Sequence, residues 1–152
     1  MIISFVRFET RSWKCVERFS NFDGTVTQSL SASSRFLAVG AKSGVVNVFN
    51  ADNLSTKQVR NPVKSVMNMQ MSADTLQFNG DGQILAMSTK RKKDTLKLLH
   101  VPTMSVFSNW PTQKVPLGYV WSLDFSPNSG YLAVGNSKGK CLLFRLNHYL
   151  NN

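Results

Sequence analysis

The sequence predicts an all-β chain built from repeated short antiparallel sheets. Three observations carry this. An apolar phrase recurs as Phe36-Leu37-Ala38-Val39-Gly40, Ile84-Leu85-Ala86-Met87-Ser88 and Tyr131-Leu132-Ala133-Val134-Gly135. Its Leu-Ala pairs begin at 37, 85 and 132, in steps of 48 and 47 residues, and a fixed period of this size marks stacked supersecondary units. Aromatic and β-branched residues fill the runs, and Gly-containing turns cut them every roughly 8–12 residues, which favours strands over helices.

The elements follow in order. Trp13 to Phe19 reads as the closing strand of an earlier unit. In the first unit, Val26 to Leu30 is strand-like, Ser33-Ser34-Arg35 turns, Phe36 to Val39 is the second strand, and Val45 to Phe49 the third. Ser55 to Lys64 is polar and reads as a connecting loop, while Met67, Met69 and Met71 alternate like the core face of a strand. The second unit has Thr75 to Phe78, the turn Asn79-Gly80-Asp81-Gly82, Ile84 to Met87, Thr95 to Leu99, and a further strand from Met104 to Trp110 ended by Pro111. In the third, Val120 to Phe125 alternates with Trp121, Leu123 and Phe125 on one face. Ser126 to Gly130 turns, Tyr131 to Val134 follows, and Lys140 to Leu146 closes the unit.

The second strands are apolar on both faces, as in sheets covered on both sides. Meanders of three or four strands repeating every 40 to 50 residues describe propeller blades. The expected architecture is therefore a partial β-propeller of about three blades of antiparallel four-stranded sheets. They span 24–60, 63–112 and 117–149, with 1–23 as the remnant of a preceding blade. An open stack leaves sheet faces uncovered, so the isolated chain is not expected to be a well-behaved monomer.

Composition narrows the function. No apolar run approaches the roughly 20 residues of a membrane helix, and Met1 to Phe8 does not read as a signal peptide. Cys15 and Cys141 read as buried thiols of a reducing compartment, and Trp13, Trp110 and Trp121 as core. Eighteen Lys and Arg face eight Asp and Glu, a net charge of +10, which favours a polyanionic partner such as nucleic acid. The run Lys90, Arg91, Lys92 and Lys93 lies between two strands, where a hairpin tip would present it to phosphates or an acidic partner. Lys57, Arg60, Lys64, Lys138 and Lys140 extend the basic surface if the fold brings them to one face.

Catalysis is not expected. Asp23-Gly24, Asp52-Asn53 and Asp81-Gly82 are turn dipeptides, and His100 and His148 have no partner motif. There is no phosphate loop, no nucleophile elbow and no zinc spacing, so no cofactor, metal or small-molecule substrate is implied.

The phrase from Asp124 through Ser126-Pro127-Asn128-Ser129-Gly130 to Gly135 resembles the first-strand, turn and second-strand text of WD40 repeats. The repeats are degenerate: Phe49-Asn50, Leu99-His100 and Phe144-Arg145 stand where Trp-Asp often closes the third strand, and no Gly-His opens a unit. A narrower resemblance rests on Lys14 to Phe19, Gly44 to Asn50, Val106 to Pro111 and Asp124 to Tyr149. These stretches are similar to the C-terminal half of nucleolar WD40 proteins associated with U3 small nucleolar RNA. That family implies a non-catalytic scaffold of the small-subunit processome, acting in 18S pre-rRNA processing with the U3 snoRNP, pre-rRNA and other processome proteins. The family's acidic N-terminal extension, which recruits the exosome's helicase, is not matched by these residues, so that recruitment is not implied. The rival expectation is a WD40 adaptor that reads a protein partner and has no RNA role.

Overall fold

The computed structural model describes residues 5–19, 24–52, 61–67, 69–111 and 114–147. The described residues form thirteen strands in four antiparallel sheets. The first sheet pairs β1 (Phe5–Phe8) with β2 (Cys15–Phe19). The second is a meander of β3 (Thr27–Ala32), β4 (Phe36–Ala41), β5 (Val46–Asn50) and β6 (Lys64–Val66). The third repeats it with β7 (Thr75–Phe78), β8 (Ile84–Ser88), β9 (Leu96–His100) and β10 (Ser105–Val106). The fourth has β11 (Val120–Phe125), β12 (Tyr131–Asn136) and β13 (Cys141–Arg145).

The last three sheets stack face to face, and alternation along each strand decides what lies between them. Ala38, Val46 and Val48 of the second sheet meet Leu76, Phe78, Leu85, Met87 and Leu99 of the third in one core. The opposite face of the third sheet, with Ile84, Ala86, Leu96 and Leu98, packs on Phe125, Leu132 and Val134 of the fourth. All five residues of β8 are buried, as its apolar phrase requires of a strand covered on both sides. Backbone groups stitch the stack as well. Ser29 Oγ donates to the Ala73 carbonyl at 2.6 Å, and the Phe78 amide donates to Ser31 Oγ at 3.0 Å.

Several expectations change at the level of strands. Lys64–Val66, placed by the sequence partly in a loop and partly in the second blade, pairs with Val46–Val48 as the fourth strand of the preceding sheet. The methionine alternation is not a strand: Met69 is buried, but Met67 and Met71 are exposed. The chain there crosses the β4–β5 turn, where Gly44 has φ +90° and any Cβ in its place would meet the Met69 and Met71 carbonyls. Of Met104 to Trp110, only Ser105 and Val106 join a ladder. The rest leaves the sheet, and Trp110 packs edge-on to Phe144 of the fourth sheet at 5.4 Å. Cys15 and Cys141 are exposed rather than buried: Cys15 is on the two-stranded first sheet, outside the stack, and Cys141 alternates with the core-facing Leu142 and Phe144 on β13.

Candidate nucleic-acid interface

The basic hairpin between β8 and β9 is held to the body of the molecule at both ends. At its start, the half-buried Asp74 carboxylate accepts the Lys90 amide and the Thr89 hydroxyl, both at 2.9 Å, and the Ser72 hydroxyl at 2.8 Å. Burial acts to raise this carboxyl's pKa. The Lys90 amide, the Ser72 and Thr89 hydroxyls and the Arg91 charge outweigh it, so the pKa lies below the ordinary value. At its end, Asp94 sits at φ +55°, a conformation Asp tolerates. It donates its amide to the Gly118 carbonyl and accepts the Gly118 amide on Oδ1, both at 2.9 Å. Two carboxylates thus carry the hydrogen bonds that shape the loop.

Between these anchors Lys90, Arg91, Lys92 and Lys93 are all exposed. Lys90 Nζ lies 5.4 Å from the centre of the Trp121 ring, and Lys93 Nζ 5.6 Å from that of Tyr119. Lys92 Nζ donates to Gln70 Oε1 at 2.5 Å. Lys90 and Lys93 therefore stand beside aromatic rings at the start of the next sheet rather than projecting alone.

Two further cations lie beside the Lys93 end of the hairpin. A cleft of about 580 Å³ is lined by Lys93, Asp94, Tyr119, Lys138 and Lys140 together with Asn136 and neighbouring residues. The β12–β13 turn delivers Lys138 and Lys140; Asn136 Oδ1 shapes that turn by accepting the amides of both lysines, at 3.0 and 3.1 Å. Lys64 is exposed on β6 and does not line this cleft. Lys57, Arg60 and His148 lie outside the described residues. His100 Nδ1 is bonded to Thr103 Oγ1 at 2.7 Å and its ring meets Phe107, so it sits in a turn-stabilising contact. Among the described residues no cluster of three or more His, Cys, Asp or Glu could hold a metal ion.

Sequence reasoning missed Trp121 and Tyr119 as surface residues. Trp121 is 56% exposed, against an expected core position. The reason is a β-bulge: Val120 pairs with Asn136 and Ser122 with Gly135, leaving Trp121 as the extra residue. Val120, Leu123 and Phe125 face the core, and Trp121 is turned outward. The same bulge occurs in β3, where Gln28 is the extra, exposed residue. A glutamine at the equivalent place in the first unit is the signal that the tryptophan position is a surface one. Trp13 is also exposed, at 79%, and only Trp110 packs against the core.

No protein-family model matches the chain. Curated relatives do. The chain is 49% identical over 116 residues to U3 small nucleolar RNA-associated protein 18 of Saccharomyces cerevisiae, covering 76% of this chain and 20% of that protein. It is 37% identical over 145 residues to the Homo sapiens homolog of that protein, covering 93% and 26%. To the Arabidopsis thaliana homolog it is 38% identical over 146 residues, covering 95% and 27%. The chain thus spans only a fifth to about a quarter of the length of these relatives. Among solved structures, a WD40 propeller chain in the crystal structure of the mitotic checkpoint complex superposes with a TM-score of 0.66 at 14% identity, over 91% of this chain and 40% of that one. That likeness concerns the fold alone.

Proposed function

The chain belongs to the family of U3 small nucleolar RNA-associated protein 18, and from that premise we propose that it is a non-catalytic WD40 scaffold of the nucleolar small-subunit processome. In this reading it works in 18S pre-rRNA processing and ribosome biogenesis, in contact with the U3 snoRNP, pre-rRNA and other processome proteins. The observation that carries the reading is identity of 37–49% over most of the chain to relatives named for association with U3 RNA.

The geometry agrees with a scaffold. Stacked sheets held by two apolar cores present loops at fixed positions, and the Lys90–Lys93 hairpin is one such loop. Its exposed lysines and arginine supply the positive charge that neutralising phosphates requires, which supports the reading.

The test is to express the tagged chain and follow it by microscopy and by pull-down. Nucleolar signal and co-purification of U3 RNA are expected. A diffuse signal together with absence of U3 RNA would refute the reading and favour an adaptor for a protein partner alone. In that event, the binding that remains should be insensitive to salt, whereas RNA affinity falls steeply as salt rises.

A further inference from the structure

We propose that the aromatic pair Trp121 and Tyr119, with Lys90, Lys93, Lys138 and Lys140, binds single-stranded RNA by stacking unpaired bases on the two rings. This rests on the RNA association proposed above and names the form of RNA the surface takes.

Four observations converge on it. First, the bulge in β11 turns Trp121 out of the core, leaving a large flat ring 56% exposed. Core packing among the described residues does not use the ring, since Leu123 and Phe125 of the same strand already fill the core side. Second, both rings stand beside a lysine ammonium, Lys90 at 5.4 Å from Trp121 and Lys93 at 5.6 Å from Tyr119. Third, Lys138 and Lys140 arrive from a different turn to line one cleft with Lys93 and Tyr119. Fourth, among the described lining residues Lys93, Lys138 and Lys140 outnumber the single carboxylate, Asp94, which the Gly118 amide holds in place.

Rings interleaved with lysines are what single strands require. A phosphodiester backbone follows the cations while each exposed base offers a face for stacking, and this works for any base. A duplex hides its base faces in its own stack and offers phosphates, 2′-hydroxyls and base edges instead, none of them a face for a ring to stack on. An acidic polypeptide supplies charge but no series of flat faces.

The experiment measures binding of the full chain to oligouridylate, to an RNA duplex of equal length and to polyglutamate. Trp121→Ala is expected to weaken oligouridylate binding about tenfold or more and to leave duplex binding unchanged. Trp121→Phe, which keeps a ring, should restore most of the affinity. Oligouridylate should quench tryptophan fluorescence in the parent chain but much less in Trp121→Phe. The paired Lys138→Ala and Lys140→Ala change should weaken both RNAs and flatten the salt dependence. Because Trp121 is exposed, an unchanged thermal melt shows that its variants stay folded. Oligouridylate binding that ignores Trp121→Ala, or polyglutamate that competes as well as oligouridylate, overturns the proposal. So does failure to bind any RNA. Co-purification of U3 RNA through neighbouring proteins would in that case leave the scaffold reading standing.

Discussion

Asp74, just before β7, accepts three hydrogen bonds, two from the start of the basic hairpin (the Thr89 hydroxyl and the Lys90 amide) and one from Ser72. Asp74→Ala strands those donors in a half-buried site and is expected to cost about 1–3 kcal/mol, measurable by urea unfolding. The carboxyl's pKa is lower in the folded chain than its ordinary value of 3.8. Its contribution is therefore complete above that value and is lost as pH falls through the folded pKa. An NMR titration of the Lys90 amide should show a midpoint below 3.8, and a midpoint at or above it would contradict the hydrogen-bonding account. Nothing in the sequence marked Asp74 out, because its two hairpin partners lie fifteen and sixteen residues away and meet it only when β7 and β8 pair. The Lys90–Lys93 run, by contrast, was legible at once as a tip between strands. Its aromatic neighbours were not, since a strand alternation read without the bulge puts Trp121 on the core side with Leu123 and Phe125.

At the scale of elements, strands with covered faces were the readable ones. β7 occurs at Thr75–Phe78 as expected, and the three Leu-Ala phrases are the second strands of their sheets. β6 was not readable: Lys64-Ser65-Val66 is a three-residue edge strand with one buried side chain, and its pairing is set by where the chain returns. The turn between β4 and β5 is a structural joint of the same kind. A Cβ on Gly44 would lie 2.5 Å from the Met69 carbonyl oxygen and 2.6 Å from that of Met71, at a φ of +90°. Gly44→Ala is therefore expected to destabilise by about 3 kcal/mol, from overpacking and backbone strain together. A thermal melt within a degree of the parent would show that the 69–71 segment yields freely.

Across the whole molecule, the stack has an internal logic that repeats at its open side. The second sheet receives the third through Ser29, Ser31, Ala38 and Gly40, where side chains are small and two serine-to-backbone hydrogen bonds cross. The fourth sheet carries Ser122, Ala133 and Gly135 in the matching registers of β11 and β12. No described element covers them, and Leu143 and Tyr131 beside them are 66% and 44% exposed. An uncovered face that exposes large apolar side chains promotes association. Leu143→Lys is expected to lower the apparent mass of the 152-residue chain in light scattering without lowering its melting temperature. An unchanged mass distribution would mean that this face does not drive self-contact. The propeller class was legible from the period of the phrase, but the particular face left open depends on which residues each bulge rotates outward.

The bulges in β3 and β11 bear on how such a chain can change over generations. A bulged residue has no opposite number in the ladder, so a substitution there disturbs neither pairing nor either core. Gln28 and Trp121 fill the same slot in two sheets and share nothing chemically. Mutation can rewrite that slot in one sheet while the other keeps its residue, and selection then acts on surface chemistry with folding held constant.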